Sequence, residues 1–194
     1  MDNSELIGNI VRLVPLKIGD ISDLEAIGKD ERIWKFLVEH PVSTEEFVNY
    51  VHQCIEEYYD GLGLSYVIRR RQDDLAVGVI RLFEYSRLHD KASFITWVTP
   101  SVWRTGINTE SKFLLLTHAF ENLNLIRVNF KVDFRNVRSQ RAINRIGATL
   151  EGKLRMNTKI SIDNRRDDFI YSIIAPEWPT VKERIINLLD LYRS

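Results

Sequence analysis

Apolar positions along this chain follow two rhythms, every second residue and every third or fourth, and the rhythms alternate from end to end. Residues 10–16 read as a strand, mostly apolar and closed by Pro15, which suits a sheet edge. Residues 20–37 read as a helix with Ile21, Leu24, Ile27 and Ile33 on one side. In 43–60 the residues Phe47, Tyr50, Val51, Cys54, Ile55 and Tyr58 keep the helical period. Ser43 or Thr44 caps that helix, and Ser43 would have Glu46 as its third-residue partner. Gly61-Leu62-Gly63 breaks it. Strands are expected at 64–69, 75–83 and 93–98, the first two joined by a hairpin turn at 71–74. An amphipathic helix at 110–122 and a cleanly alternating strand at 126–132 follow. A short helix at 137–146 stops at Gly147. Residues 150–156 and 169–175 read as a last strand pair, and Pro176 opens a C-terminal helix.

This order is neither strict βα alternation nor all-β. It predicts an α+β domain with a mixed, largely antiparallel sheet and helices on both faces. At 194 residues, with 44% apolar and 28% charged, the chain reads as one globular domain, 1–194. Lys plus Arg equals Asp plus Glu, so no global field points to nucleic acid or a membrane surface. The single cysteine, Cys54, excludes an internal disulfide and fits a reducing cytosol. Met1-Asp2-Asn3-Ser4-Glu5 is too polar for a secretory signal, and no apolar run reaches the ~20 residues of a membrane span. His40, His52, His89 and His118 lack metal-ligand spacing, so no metal is expected. Neither a P-loop nor a dinucleotide glycine motif occurs.

The most informative stretch is Trp103-Arg104-Thr105-Gly106-Ile107-Asn108-Thr109-Glu110, lying between a strand and a helix. A tight turn there aims backbone N–H groups and the positive helix end at one point, a site for phosphate. A plain connection capped by Asn108 or Thr109, with Glu110 complementing the helix dipole, is the competing reading. Downstream, Asn136 and Ser139 follow the alternating strand, and Asn136 is also an ordinary helix cap. Arg138, Arg141 and Arg145 share one face of the short helix, either as a phosphate-binding row or as a solvated face.

Taken together, these segments resemble the GNAT superfamily of acyl-CoA-dependent N-acetyltransferases, and most closely the branch of ribosomal-protein N-terminal acetyltransferases. The matching text is Trp97-Val98-Thr99-Pro100, the Trp103–Glu110 stretch, His118-Ala119-Phe120-Glu121, Asn136-Val137-Arg138-Ser139 and Ile146-Gly147-Ala148-Thr149-Leu150. The resemblance implies a splayed central sheet of about seven strands and acetyl-CoA as co-substrate, with no metal. It implies an amine acceptor that is either a protein N-terminus or a small molecule, and it leaves room for a homodimer. Trp97 and Val98 would end the first splayed strand, with Val98 bonding the pantetheine arm through its main chain. Arg104, Thr105, Gly106, Ile107, Asn108 and Thr109 would hold the diphosphate, Asn136 the pantetheine arm, and Arg141 with its neighbours the 3′-phosphate. Ser139 would face the thiol sulfur and protonate the departing thiolate, since Ile143 stands where many relatives carry a Tyr. Glu84 is the candidate general base, with Asp167 and Asp168 as others.

One departure stands out. The family's loop carries glycines, or an alanine, where this chain has Arg104 and Asn108, and only Gly106 remains. Asn108 is expected to preserve the turn, because Asn tolerates left-handed backbone angles. Residues 20–37 and 43–60, with the loop at 85–91, would shape the acceptor groove. The rival functional reading is a module that binds an acyl-CoA without turning it over.

Overall fold

A computed structural model describes residues 2–160 and 163–192. Its strands are β1 (Leu6–Ile7), β2 (Val11–Pro15), β3 (Leu64–Arg70), β4 (Ala76–Ser86), β5 (Lys91–Val98), β6 (Arg127–Asp133), β7 (Thr149–Lys159) and β8 (Arg165–Ile174). Its helices are α1 (Ile21–Gly28), α2 (Glu31–Trp34), α3 (Thr44–Tyr59), α4 (Ile107–Thr117), α5 (Val137–Ile146) and α6 (Trp178–Asp190). The expected mixed sheet is present with eight strands among the described residues, rather than about seven. The extra one is β1, two residues long and too short to show a period.

The helix expected over 20–37 is broken. At Gly28 a Cβ would lie 2.3 Å from the Phe47 ring, so the close approach of α3 demands glycine there. The Asp30 side chain then accepts the Arg32 N–H and starts α2 afresh. α3 begins as expected, with Ser43 and Glu46 forming a reciprocal capping box. α4 begins at Ile107, three residues before the expected start. Beyond Thr117 the helix widens into a π turn, in which the Leu123 N–H reaches the His118 carbonyl at 3.0 Å. Pro176 falls in a 3₁₀ turn, Ala175–Glu177, just ahead of α6.

The sheet order is β1-β2-β3-β4-β5-β6-β8-β7, and every neighbouring pair is antiparallel except β5 with β6. Side chains alternate between two cores. Phe94, Val98, Phe130, Tyr171 and Ile173 pack beneath α4, α5 and α6. Val67, Val79 and Trp97 pack against α1, α2 and α3. α6 lies antiparallel to α4. Trp178 at its start stacks on Phe120 beyond α4's C-terminus, and Tyr192 past its end touches Gly106 at α4's N-terminus.

The parallel pair positions the site. β5 and β6 are in register only from Lys91↔Arg127 to Phe94↔Phe130. β5 continues along β4 to Val98↔Gly78, and β6 continues along β8 to Asp133↔Asp168. From Ile95 and Lys131 onward the two strands therefore part, leaving a wedge between two unpaired main-chain edges.

Candidate functional site

The wedge supplies hydrogen-bonding groups on its β5 side. The Thr99 N–H donates to the Val77 carbonyl on β4 at 2.8 Å, so the two-residue alternation turns the Trp97 main chain toward β4 as well. The main chain of Val98 consequently faces the wedge. Its carbonyl accepts the Trp103 indole N–H at 3.1 Å, while register leaves its N–H toward the open side. The Thr96 hydroxyl is buried without a hydrogen-bond partner among the described residues. Trp97 is not part of this edge. Its ring lies on the opposite face, 5.1 Å from Trp34, with its N–H toward the Tyr50 hydroxyl.

The wedge runs into the turn before α4. Gly106 is the N-cap residue at φ 85°, and neither Asn108 nor Thr109 caps the helix with its side chain. No described residue accepts the N–H groups of 104–109, while the Glu110 N–H bonds to the Gly106 carbonyl at 2.9 Å. The left-handed angle expected of Asn108 falls on Arg104 instead, at φ 67°, which is the position where the family carries its first glycine. The backbone thus keeps the tight turn without that glycine, at a cost of about 1–2 kcal/mol. Asn108 is helical, and its side chain accepts from Lys112 Nζ at 2.5 Å.

Glu110 does not face the turn. It is 3% exposed, and its carboxylate accepts the N–H groups of Asn9, Ile10 and Val11 at 2.9, 2.8 and 2.8 Å, stapling the β1–β2 turn to α4. The Arg145 guanidinium reaches across from α5, donating to Thr109 Oγ1 and to the Tyr192 hydroxyl, each at 2.9 Å. The Tyr192 ring packs on Gly106, where a Cβ would lie 3.0 Å from Tyr192 Cγ.

α5 borders the wedge beyond β6. The Asn136 side chain accepts the Ser139 N–H at 3.1 Å, so it caps α5. The Ser139 hydroxyl makes no hydrogen bond among the described residues, and Ile143 is buried. The three arginines of α5 part company. Arg138 lies 3.5 Å over the Trp103 ring, and burial pushes its guanidinium below the ordinary value. Arg145 is tied to Thr109, and Arg141 is exposed without a described ion-pair partner.

On the other face, a cavity is lined by Trp34, Glu39, Tyr50, Arg81, Ile95 and Trp97. Arg81 is buried there and neutralised by Glu57 at 2.5 Å. Burial raises the Tyr50 phenol and the Cys54 thiol above their ordinary values, so neither ionises near neutrality. Glu84, at a bulge in β4 with φ 52°, accepts at 2.6 Å the hydroxyl of Ser93, next to Phe94, the last β5 residue paired with β6. Asp168 is fully buried and held by Arg166, Asn157 and Thr158, so it is committed to structure. Asp167 is held by Lys153 and the Met156 N–H, which lower its carboxyl below the usual range. Among the described residues no three His, Cys, Asp or Glu side chains gather as a metal site.

Sequence reasoning did not single out Lys112, Thr96 or Tyr192. The Asn108–Lys112 spacing of four was visible, but the burial of Lys112 is a product of the tertiary fold.

Comparisons with known proteins bear on the family and the fold. A family model described as an acetyltransferase (GNAT) domain matches residues 11–149. A solved structure from T. thermophilus, itself only provisionally termed an acetyltransferase, superposes with a TM-score of 0.87 at 32% identity, covering 97% of this chain and 98% of that one. YdaF of Bacillus subtilis strain 168, provisionally termed a ribosomal N-acetyltransferase, is 28% identical over 164 residues, 81% of this chain and 83% of its own length. The spermidine N(1)-acetyltransferase of Escherichia coli strain K12 is 24% identical over 144 residues, 74% of this chain and 75% of its own.

Proposed function

The chain belongs to the GNAT acetyltransferases, and from that premise we propose that it transfers acetyl from acetyl-CoA to a primary amine by direct attack within a ternary complex. One observation carries the reading: β5 and β6 part beyond Phe94 and Phe130, and the wedge leads straight to the free amides of 104–109. The groups there fit a coenzyme A thioester. The Val98 N–H and the orphaned Thr96 hydroxyl lie along the path of an amide-bearing arm, the loop amides suit a diphosphate, and exposed Arg141 suits a terminal phosphate.

The amine enters from the face of Trp34, Tyr50 and Trp97. Its nitrogen lone pair attacks the thioester carbonyl carbon, the C–S bond breaks, and the nitrogen gives up a proton. Glu84 receives that proton through water, and the free Ser139 hydroxyl supplies one to the departing thiolate. Cys54 is buried with a raised thiol, which disfavours an acyl-enzyme route. A lone free cysteine is compatible with a reducing cytosol, and among the described residues no helix is long and apolar enough to cross a membrane.

A protein N-terminus is the preferred acceptor. YdaF, at slightly higher identity and coverage, carries a ribosomal name, and the spermidine enzyme marks the small-molecule alternative. The test is release of free thiol from acetyl-CoA by the purified protein with short peptides bearing free N-termini and, separately, with spermidine. Peptide-dependent thiol release is expected. Thermal stabilisation by coenzyme A without turnover on any amine would replace the enzyme with a binding module, a reading that Ile143 and Arg104 would then explain.

A further inference from the structure

Among the described residues, the start of α4 holds more positive charge than its surroundings balance. An α-helix N-terminus carries roughly half a positive charge. Within its first two turns two cations are held against it. Lys112 Nζ donates to Asn108 Oδ1 at 2.5 Å, and Arg145 donates to Thr109 Oγ1 at 2.9 Å. Among the described residues neither has a carboxylate within ion-pair distance. The one acid in the first turn, Glu110, is spent on the amides of Asn9, Ile10 and Val11. Lys112 is 4% exposed, and burial together with the nearby Arg145 charge lowers its ammonium to about 7. A lysine buried beside an arginine and a helix N-terminus destabilises the ligand-free fold. Neither cation is needed to close the turn, since Gly106 and Arg104 already set its backbone.

We propose that Lys112 and Arg145 are positioning residues of the diphosphate receptor, acting through Asn108 and Thr109 to hold positive charge that a polyphosphate ligand neutralises. The inference rests on the diphosphate reading of 104–109 and deepens it. The loop has lost two of its small residues, and these cations make up the attraction. Tyr192, bonded to Arg145 and packed on Gly106, fixes the guanidinium in place, so the end of α6 belongs to the receptor as well.

The experiment measures coenzyme A and inorganic pyrophosphate binding by calorimetry on the full chain, with the ligand-free melting temperature recorded alongside. The proteins are the wild type, Lys112→Met and Arg145→Met. Lys112→Met should bind both ligands roughly tenfold more weakly, while its ligand-free melting temperature rises by several degrees, on the order expected for removing an unpaired buried charge. Arg145 is exposed, so Arg145→Met folds and shows the same weakening. A purely structural lysine gives the opposite pattern: lower stability with affinity unchanged. If the wild type binds and Lys112→Met binds equally well, the inference is overturned and the diphosphate reading stands. If the wild type binds neither ligand, the diphosphate reading falls and takes the inference with it.

Discussion

Replacing Glu110 by Gln isolates a carboxylate that the structure spends entirely on main chain. Oε1 accepts from Asn9 N and Oε2 from Ile10 N and Val11 N, in a side chain only 3% exposed. Hydrogen bonds to a charged acceptor contribute about 1.5–3 kcal/mol each, against about 0.5–1.5 for neutral ones. Gln keeps one oxygen. Placed at the Oε2 position, it retains two bonds in neutral form, and its NH₂ group then faces the Asn9 N–H, donor against donor. Asn9 is exposed, so water recovers part of that loss. The net change is about 2–3 kcal/mol. Ala is harsher, about 4 kcal/mol, because the fully buried Val11 N–H is stranded. A domain of this size loses about 2–4 °C per kcal/mol, so Glu110→Gln should melt about 4–12 °C below the wild type. Circular dichroism melts check this, with coenzyme A titration in parallel. A melting temperature within about 1 °C of the wild type would refute the staple. Loss of turnover at unchanged stability would instead make Glu110 part of the chemistry.

Four further outcomes are expected. Gly106→Val places a β-branched residue at φ 85° with its Cβ 3.0 Å from Tyr192, and should abolish measurable coenzyme A binding in a thermal-shift titration; unchanged affinity removes the loop from the site. Arg104→Gly relieves about 1–2 kcal/mol of left-handed strain and gives back about 0.4–1 through the freer unfolded chain. A small net stabilisation should therefore appear in urea melts, and a clear destabilisation would show that the arginine side chain outweighs its backbone. Ser139→Ala should lower kcat while coenzyme A affinity holds; an equal kcat discards Ser139 as proton donor. The Lys112 ammonium is depressed from 10.5 to about 7, so between those values the unfolded chain binds more protons. Wild-type stability should accordingly rise relative to Lys112→Met as pH increases from about 7 to 10.5, by up to a few kcal/mol, and stay level below 7; a pH-independent difference between the two proteins contradicts the depressed lysine.

Most of the fold could be read from the sequence because each long element buries one face. Residues 43–60, 126–132 and 137–146 carry unbroken periods, and the corresponding elements match to within a residue or two. Misreadings fall where a distant contact decides. The helix expected over 20–37 has enough apolar residues throughout, but Gly28 meets Phe47 from α3 and the chain restarts at Asp30. β1 has no period to read. The wedge itself was expected only through family resemblance, since nothing local in 91–98 tells a strand that pairs throughout from one that parts after Phe94. Asp167 and Asp168 looked equivalent to Glu84 as titratable groups on strands. They differ because β7 folds back to supply Lys153, Asn157 and Thr158.

Charge balance shows the same division between local and distant causes more sharply. The totals cancel, with 27 basic and 27 acidic residues, and Glu110 near the start of α4 reads as a counter-charge to the helix end. Spacing alone supports that reading. In the fold Glu110 points back at Asn9, Ile10 and Val11, and the helix end loses its acid to a turn about a hundred residues earlier. Meanwhile the fold buries Lys112, and α6, running antiparallel over α4, delivers Tyr192 to Arg145. A sequence balanced in its totals thus leaves Lys112 and Arg145 beside this helix start, with its one first-turn acid turned away. On the proposed reading that imbalance lowers ligand-free stability and a bound anion relieves it, so the same substitution, Lys112→Met, should strengthen the fold and weaken the site.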